Sequence, residues 1–209
     1  VAPSKAKPVA RSVAALANLH AAFRSARARR GGLDFETREG VIELTDGHVT
    51  NVNRVQRLTA HQIIEEAMIN ANVCAARFIE GAEQCSLYRV HEAPDAMKLE
   101  ELNQDLRSVG LRLPKGVPEP KVFKDLLDDL GQRANGWLYQ QLVLRSMQQA
   151  VYTPKNQGHF GLGLERYMHF TSPIRRYPDL LVHRAIKAII AAKVKRLPNL
   201  EQLEHFGER

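Results

Sequence analysis

Cysteine is almost missing from this chain. Cys74 and Cys85 are the only two among 209 residues, one inside an apolar helical pattern and one beyond its end. Neither has a metal-ligand spacing, so a disulfide framework and a zinc module are excluded and a reducing compartment is implied. No apolar run approaches the ~20 residues of a membrane span, and the N-terminus lacks a signal-peptide core. The expectation is a cytoplasmic protein with no membrane partner. A phosphate-binding glycine fingerprint, a Ser-His-Asp arrangement, an internal repeat and a low-complexity tract are absent too. Aspartate does not occur before Asp34.

What the chain does contain is ordinary globular composition, 44% apolar and 25% charged, enough for one or two domains with a core. Thirty Lys+Arg against 23 Asp+Glu give a net charge of +7, which favours a polyanionic partner. The sequence starts at Val1 in what reads as the middle of something, so a fragment is expected.

Residues 1–8, with two prolines, read as an extended lead. An Ala-rich helix follows from Val9 to about Arg30, with Val13, Leu16, Leu19 or His20 and Phe23 at helical spacing and Arg11, Arg24, Arg27, Arg29 and Arg30 on other faces. Its late arginines either complement the helix C-terminus or face RNA. Gly31-Gly32 stops it. Val41–Leu44, Asp46-Gly47 and Val49–Val55 form a hairpin pattern. Thr59 is expected to cap a long helix whose apolar stripe is Ile64, Ala67, Met68, Ala71, Ala75 and Phe78, with Glu65 and Glu66 just off it. Leu87–Val90 reads as a short strand and Asp95 to about Val109 as a helix with Leu99, Leu102 and Leu106 inward. A Pro/Gly-rich connector, a helix over Val122–Leu130 and another from Gly136 complete the middle, with Trp137 assigned to the core. Tyr152–Gly158 reads as a polar loop, and residues 195–209 carry no readable signal.

The densest set of functional side chains lies between His159 and Arg184. A Gly-punctuated apolar run leads through Tyr167 and His169 to Thr171-Ser172-Pro173, which reads as a helix start with hydroxyl caps and Pro at the first position. Arg175 and Arg176 then fall in the first turn, where free N–H groups and the helix dipole favour an anion. Two readings stand at this point. The arginines face a phosphate, or they pair with Asp179 on a solvated helix face. The histidines at 61, 91, 159, 169 and 183 are scattered, with His159 and His169 the ones inside the dense stretch.

Three segments carry a resemblance. They are Gly31-Gly32-Leu33-Asp34-Phe35-Glu36-Thr37; the helix His61-Gln62-Ile63-Ile64-Glu65-Glu66-Ala67-Met68-Ile69-Asn70-Ala71-Asn72-Val73-Cys74-Ala75-Ala76-Arg77; and His159-Phe160-Gly161-Leu162-Gly163-Leu164 through Thr171-Ser172-Pro173-Ile174-Arg175-Arg176-Tyr177 to His183-Arg184. In this order they resemble the catalytic (RNB) domain of the ribonuclease II/ribonuclease R family, hydrolytic 3′-to-5′ exoribonucleases, with a pattern like that of its bacterial ribonuclease R branch. The resemblance covers about Val9 to Ala192.

It implies an α/β (α+β) fold, mostly helices on a small mixed sheet, with residues 9–194 forming part of the domain and 195–209 a tail or connection. By the same resemblance Arg175 is the catalytic residue at the scissile phosphate, Phe35 stacks on a base, and Glu65, or its neighbour Glu66, lines the pocket of the terminal nucleotide. Arg176, Tyr177, His159 and Asp179 are placed as supporting or RNA-groove residues. Family members hold Mg²⁺ with closely spaced aspartates upstream of the segment matching Phe35. No metal ligand is therefore assigned here, and the chain alone is expected to be inactive. The implied function is part of a processive enzyme, monomeric as a parent protein, degrading single-stranded RNA to nucleoside 5′-monophosphates. The alternative is a non-catalytic RNA-binding or scaffold module derived from the same fold. The piece is expected to need the upstream half of its domain, because sheet edges and apolar faces would otherwise be uncovered.

Overall fold

The computed structural model describes residues 3–35, 40–54, 57–114, 116 and 118–207; the expectations for Glu36, Thr37 and Val55 lie outside them. The first helix, α1, spans Pro3–Arg29. It begins inside the stretch expected to be extended, with Pro3 at the first helical position, where a missing N–H costs nothing. Val9, Val13, Leu16 and Leu19 stay exposed along it, and α1 packs on α2. Strands β1 (Gly40–Thr45) and β2 (His48–Arg54) pair antiparallel. Asp46 and Gly47 both take positive φ, 52° and 78°, which suits the twist of a two-residue hairpin turn. The hairpin was legible; its exposure was not, for Val41, Ile42, Leu44, Val49 and Val52 all face solvent.

Helix α2 (Thr59–Gly81) follows. Thr59 is its first helical residue and not its cap; Leu58 takes that position, and its N–H donates to His61 Nδ1 at 3.3 Å. The buried face is Glu66, Ile69, Asn72, Ala75, Ala76 and Ile79. Of the expected stripe, Ile64 and Phe78 are exposed. The helix is turned so that two polar residues go inward, because each finds a buried partner across the interface.

A helical subassembly comes next. In α3 (Ala96–Arg107), Asp95 accepts the Lys98 N–H at 2.8 Å as N-cap, and Leu99, Leu102 and Leu106 point inward as expected. Pro120 opens α4 (Pro120–Gly131), which contributes Phe123, Leu126, Leu127 and Leu130 at i, i+3, i+4, i+7. Helix α5 (Gly136–Ser146) packs on both. It buries Val143 and Gln140, whereas Trp137 is 38% exposed and so does not belong to the core. Leu33, from the loop after α1, joins this core beside Phe123 and Met147.

The rest is built round β3 (Tyr88–Val90) and β4 (Val151–Thr153), an antiparallel pair. Tyr152 therefore sits in a strand instead of a polar loop. Helix α6 (Tyr177–Ile190) covers the pair together with α2, through Val182 and Ala185 against Ala76, Ile79 and Val90. The C-terminal stretch, unreadable in sequence, forms α7 (Leu200–Gly207) against β4 and buries Leu203 with Leu87 and Leu181. The fold is thus mixed α/β and mainly helical, and among the described residues the strands form two separate antiparallel ladders rather than one mixed sheet. Among the described residues no helix is long and apolar enough to cross a membrane, and both cysteines are exposed and free.

Candidate functional site

The segment from Gly158 to Leu164 is pinned by backbone contacts. Leu33 N–H donates to the Gly161 carbonyl at 2.8 Å, and Phe160 N–H to the His91 carbonyl at 2.7 Å. Gly161 N–H donates to His91 Nδ1 at 2.9 Å, so His91 carries its proton on the other nitrogen. Gly163 has φ +60°, and a Cβ there would lie 2.3 Å from the Arg30 carbonyl oxygen. Gly163→Ala is expected to cost about 1–3 kcal/mol from the left-handed backbone alone, read as a lower melting temperature and faster amide exchange in residues 159–164.

Helix α6 starts later than Ser172-Pro173 suggested. Ser172 to Arg175 form a turn, with the Arg175 and Arg176 N–H groups reaching the Ser172 carbonyl, and the helix proper opens at Tyr177-Pro178. A second proline supplies the start because Asp179, fully buried, reaches back over the turn. Its Oδ1 accepts the Ser172 N–H at 2.7 Å and the Arg176 Nη2 donor at 2.8 Å. Asp179 thus pairs with one arginine, not two, and does so in the interior. Arg175 is left exposed at the tip beside a fully exposed Ile174, and among the described residues its guanidinium makes no ion pair.

On the α2 side lies a network of three arginines and three carboxylates. Arg27 Nη1 binds Glu66 at 2.8 Å and Glu65 at 3.1 Å, and its Nη2 donates to the Leu33 carbonyl at 2.6 Å. Arg57 bridges Asp34, at 2.9 Å, and the second oxygen of Glu65. Arg24 lies 3.8 Å from Asp34. Burial works against the charge on Arg27, but its hydrogen bonds to Glu66 and Glu65 and the field of Asp34 outweigh it and raise its pKa. Glu66 is almost wholly buried and Glu65 about two-fifths exposed. Of the two glutamates, only Glu65 can meet a ligand. A cleft of about 380 Å³ opens beside it, lined also by His61, Met68, Asn72, Tyr167 and Arg176.

Asn72 joins the two sides. Its Nδ2 donates to the Tyr167 hydroxyl and its Oδ1 accepts the Phe170 N–H, each at 2.9 Å. Behind the cleft runs a column of rings. His91 stacks on His159 (5.0 Å between centroids), His159 meets Tyr167 edge-on (5.2 Å), Tyr167 meets His169 (5.6 Å), and His169 Nδ1 hydrogen-bonds the Tyr152 hydroxyl at 2.7 Å. Burial, with His91 and Arg89 nearby, pushes the His159 pKa down to about 3; burial and the Arg176 charge push His169 down to about 4. Both rings are neutral in the fold.

The sign of the pH effect follows. These folded pKa values lie below the unfolded value of ~6.5, so the unfolded chain binds the extra protons. Stability is fully present above about pH 6.5 and falls as pH drops toward 4. Urea midpoints between pH 7.5 and 4.5 should decline, and His159→Gln should flatten the decline.

Placed together, then, are Glu65 and Arg176, on one cleft, with Arg175 the next residue to Arg176. Phe35 is half-buried on the α3–α5 core, adjacent in sequence to Asp34 and so tied to the same network. Tyr177 points elsewhere. It is about half exposed, meets Phe206 edge-on at 5.6 Å and lines a separate cavity of about 290 Å³ with Arg184. His159 belongs to the ring column. Sequence reasoning missed Arg27, Arg57, Asn72 and Tyr167. Asn72 and Tyr167 lay within or between quoted segments, but their pairing spans 95 residues, and no local pattern announces it.

The resemblance raised Mg²⁺ as a cofactor. Among the described residues no group of three or more His, Cys, Asp or Glu side chains could hold an ion. Asp34, Glu65 and Glu66 are each engaged by arginine. These residues do not fit a metal.

Fold and site together define an α/β domain with a cleft lined by Glu65 and Arg176, followed in sequence by the exposed Arg175, whose guanidinium makes no ion pair among the described residues. The chain belongs to the RNB-domain family, whose pattern matches residues 2–192. It is 44% identical over 186 residues to ribonuclease R of Escherichia coli, covering 88% of this chain and 23% of that protein. It also superposes on Mycoplasma genitalium RNase R in complex with ribose-methylated single-stranded RNA, with TM-score 0.87 and 26% identity over 97% of this chain and 33% of that one. The same enzyme in complex with double-stranded RNA gives TM-score 0.88, also at 26% identity, covering 97% of this chain and 37% of that one. The chain therefore spans about a quarter to a third of the length of these relatives.

Proposed function

We propose that this chain forms one side of the active site of a 3′-to-5′ exoribonuclease that degrades single-stranded RNA processively to nucleoside 5′-monophosphates. The observation that carries the reading is the asymmetry of the arginine pair. Arg176 is locked to buried Asp179 and faces the Glu65 cleft, while Arg175, next to it, is exposed and has no carboxylate partner among the described residues. A guanidinium held ready on a fixed turn can neutralise charge developing on a phosphate at no cost in reorganisation. Phe35 offers a ring for a base a few nucleotides from the end, and Glu65 accepts hydrogen bonds from the terminal nucleotide. RNA in the complexes of the M. genitalium relative supports the polyanionic ligand, as does the net charge of +7.

In the same reading Mg²⁺ is a cofactor of the parent enzyme, and none of the described residues of this chain is assigned to hold it. The test uses 3′-labelled single-stranded RNA with Mg²⁺, given separately to the full-length protein and to residues 1–209. The full-length protein is expected to release labelled mononucleotide and the shorter chain none. Brisk release by the shorter chain, or none by the full-length protein, contradicts the reading.

A further inference from the structure

The two elements proposed to grip the RNA end, Phe35 and Glu65, sit on segments with no common secondary structure. Phe35 follows α1 in an irregular loop, and Glu65 lies in the second turn of α2. Two arginines stitch the segments together. Arg27 takes the Leu33 carbonyl and one oxygen of Glu65. Arg57, from the connection between β2 and α2, takes Asp34, one residue before Phe35, and the other oxygen of Glu65. Both oxygens of Glu65 are thereby oriented by different guanidiniums, and the loop is fixed at two consecutive residues.

The stitches differ in depth. Arg27 is only 11% exposed and anchors buried Glu66 as well, so its removal disturbs the fold. Arg57 is 41% exposed, and exposed ion pairs contribute little to stability. Its fork suits two carboxylates at once, which a lysine ammonium, a point charge, does not reproduce. Arg57 is therefore the residue whose loss would loosen the grip without loosening the protein.

We propose that Arg57 is a positioning residue: by bridging Asp34 and Glu65 it sets the spacing between the base-stacking loop and the terminal-nucleotide cleft. The inference rests on the proposed roles of Phe35 and Glu65. Without Arg57 the Asp34 carboxylate keeps only the longer, 3.8 Å contact to Arg24, and one Glu65 oxygen is free to turn away. The consequence is a weaker hold on the RNA end, expressed in KM rather than in kcat.

The experiment is steady-state kinetics of the full-length enzyme on a short single-stranded RNA. It compares Arg57→Ala, Arg57→Lys, Phe35→Ala and the double variant Arg57→Ala/Phe35→Ala, with melting curves as a check on folding. Expected are a KM rise of roughly tenfold for Arg57→Ala, the scale of coupling between contacting groups, no rescue by lysine, and little further rise when Arg57→Ala is added to Phe35→Ala. Additive effects with a salt slope reduced by about 1 would mean that Arg57 contacts a phosphate directly and would overturn the inference. So would full rescue by lysine, or an unchanged KM for Arg57→Ala when Phe35→Ala raises it. If Phe35→Ala itself leaves KM unchanged, the reading of the RNA-gripping site fails, and this inference goes with it.

Discussion

Arg175→Ala in the full-length protein is expected to lower the rate of mononucleotide release by about 100-fold or more, the loss found when one preorganised transition-state contact is removed. The melting temperature should hardly move. Arg175 is exposed, forms no ion pair among the described residues, and leaves its neighbours satisfied when truncated, because Asp179 holds the turn through Ser172 and Arg176. A large kinetic effect with a negligible stability effect is the signature of a group that acts on substrate. Arg176→Ala should behave differently. It strips a buried carboxylate of its cation, so stability and activity should fall together.

The largest expected effect on folding is at Arg27. Its guanidinium is the cation for Glu66, which is almost wholly buried, and it also holds Glu65 and the Leu33 carbonyl. Truncation leaves a buried carboxylate uncompensated, which costs about 3–5 kcal/mol. Arg27→Ala should therefore abolish amide-exchange protection at the C-terminal end of α1 and the first turns of α2 in the full-length protein. Arg27→Met with Glu66→Leu, which removes both charges, should recover much of it. If Arg27→Ala retained full protection, the clamp between α1 and α2 would not be what holds these helices.

These residues also show where sequence reading reached and where it stopped. Local chemistry was legible. The Asp46-Gly47 hairpin, the Asp95 start of α3 and the Leu99/Leu102/Leu106 face all depend on neighbours within a few positions. Long-range satisfaction of polar groups was not. Helix α2 offered an apolar stripe through Ile64 and Phe78, yet it buries Glu66 and Asn72, whose partners stand 39 and 95 residues away. The start of α6 was misplaced for a related reason. Ser172-Pro173 and Tyr177-Pro178 both have the form of a helix start, and the choice is made by the Asp179 carboxylate, which holds Ser172 outside the helix. The short strand β4 and the terminal helix α7 went unread because a three-residue strand and an eight-residue helix are defined by what they pack on. The candidate site was half visible. Arg175, Glu65 and Phe35 stood in quoted motifs, while of the arginines that hold Glu65 and the Phe35 loop, Arg27 read as a helix-end or RNA-facing charge and Arg57 stood in no motif.

The proposed contact is between the Arg175 guanidinium and the last phosphodiester of the RNA. Its most direct test replaces that phosphodiester with an uncharged methylphosphonate and measures Kd for native and neutralised RNA with the full-length protein and with Arg175→Ala. Neutralisation should weaken binding to the unmodified protein and leave binding to Arg175→Ala nearly unchanged. An equal loss with both proteins would place Arg175 away from that phosphate and contradict the account.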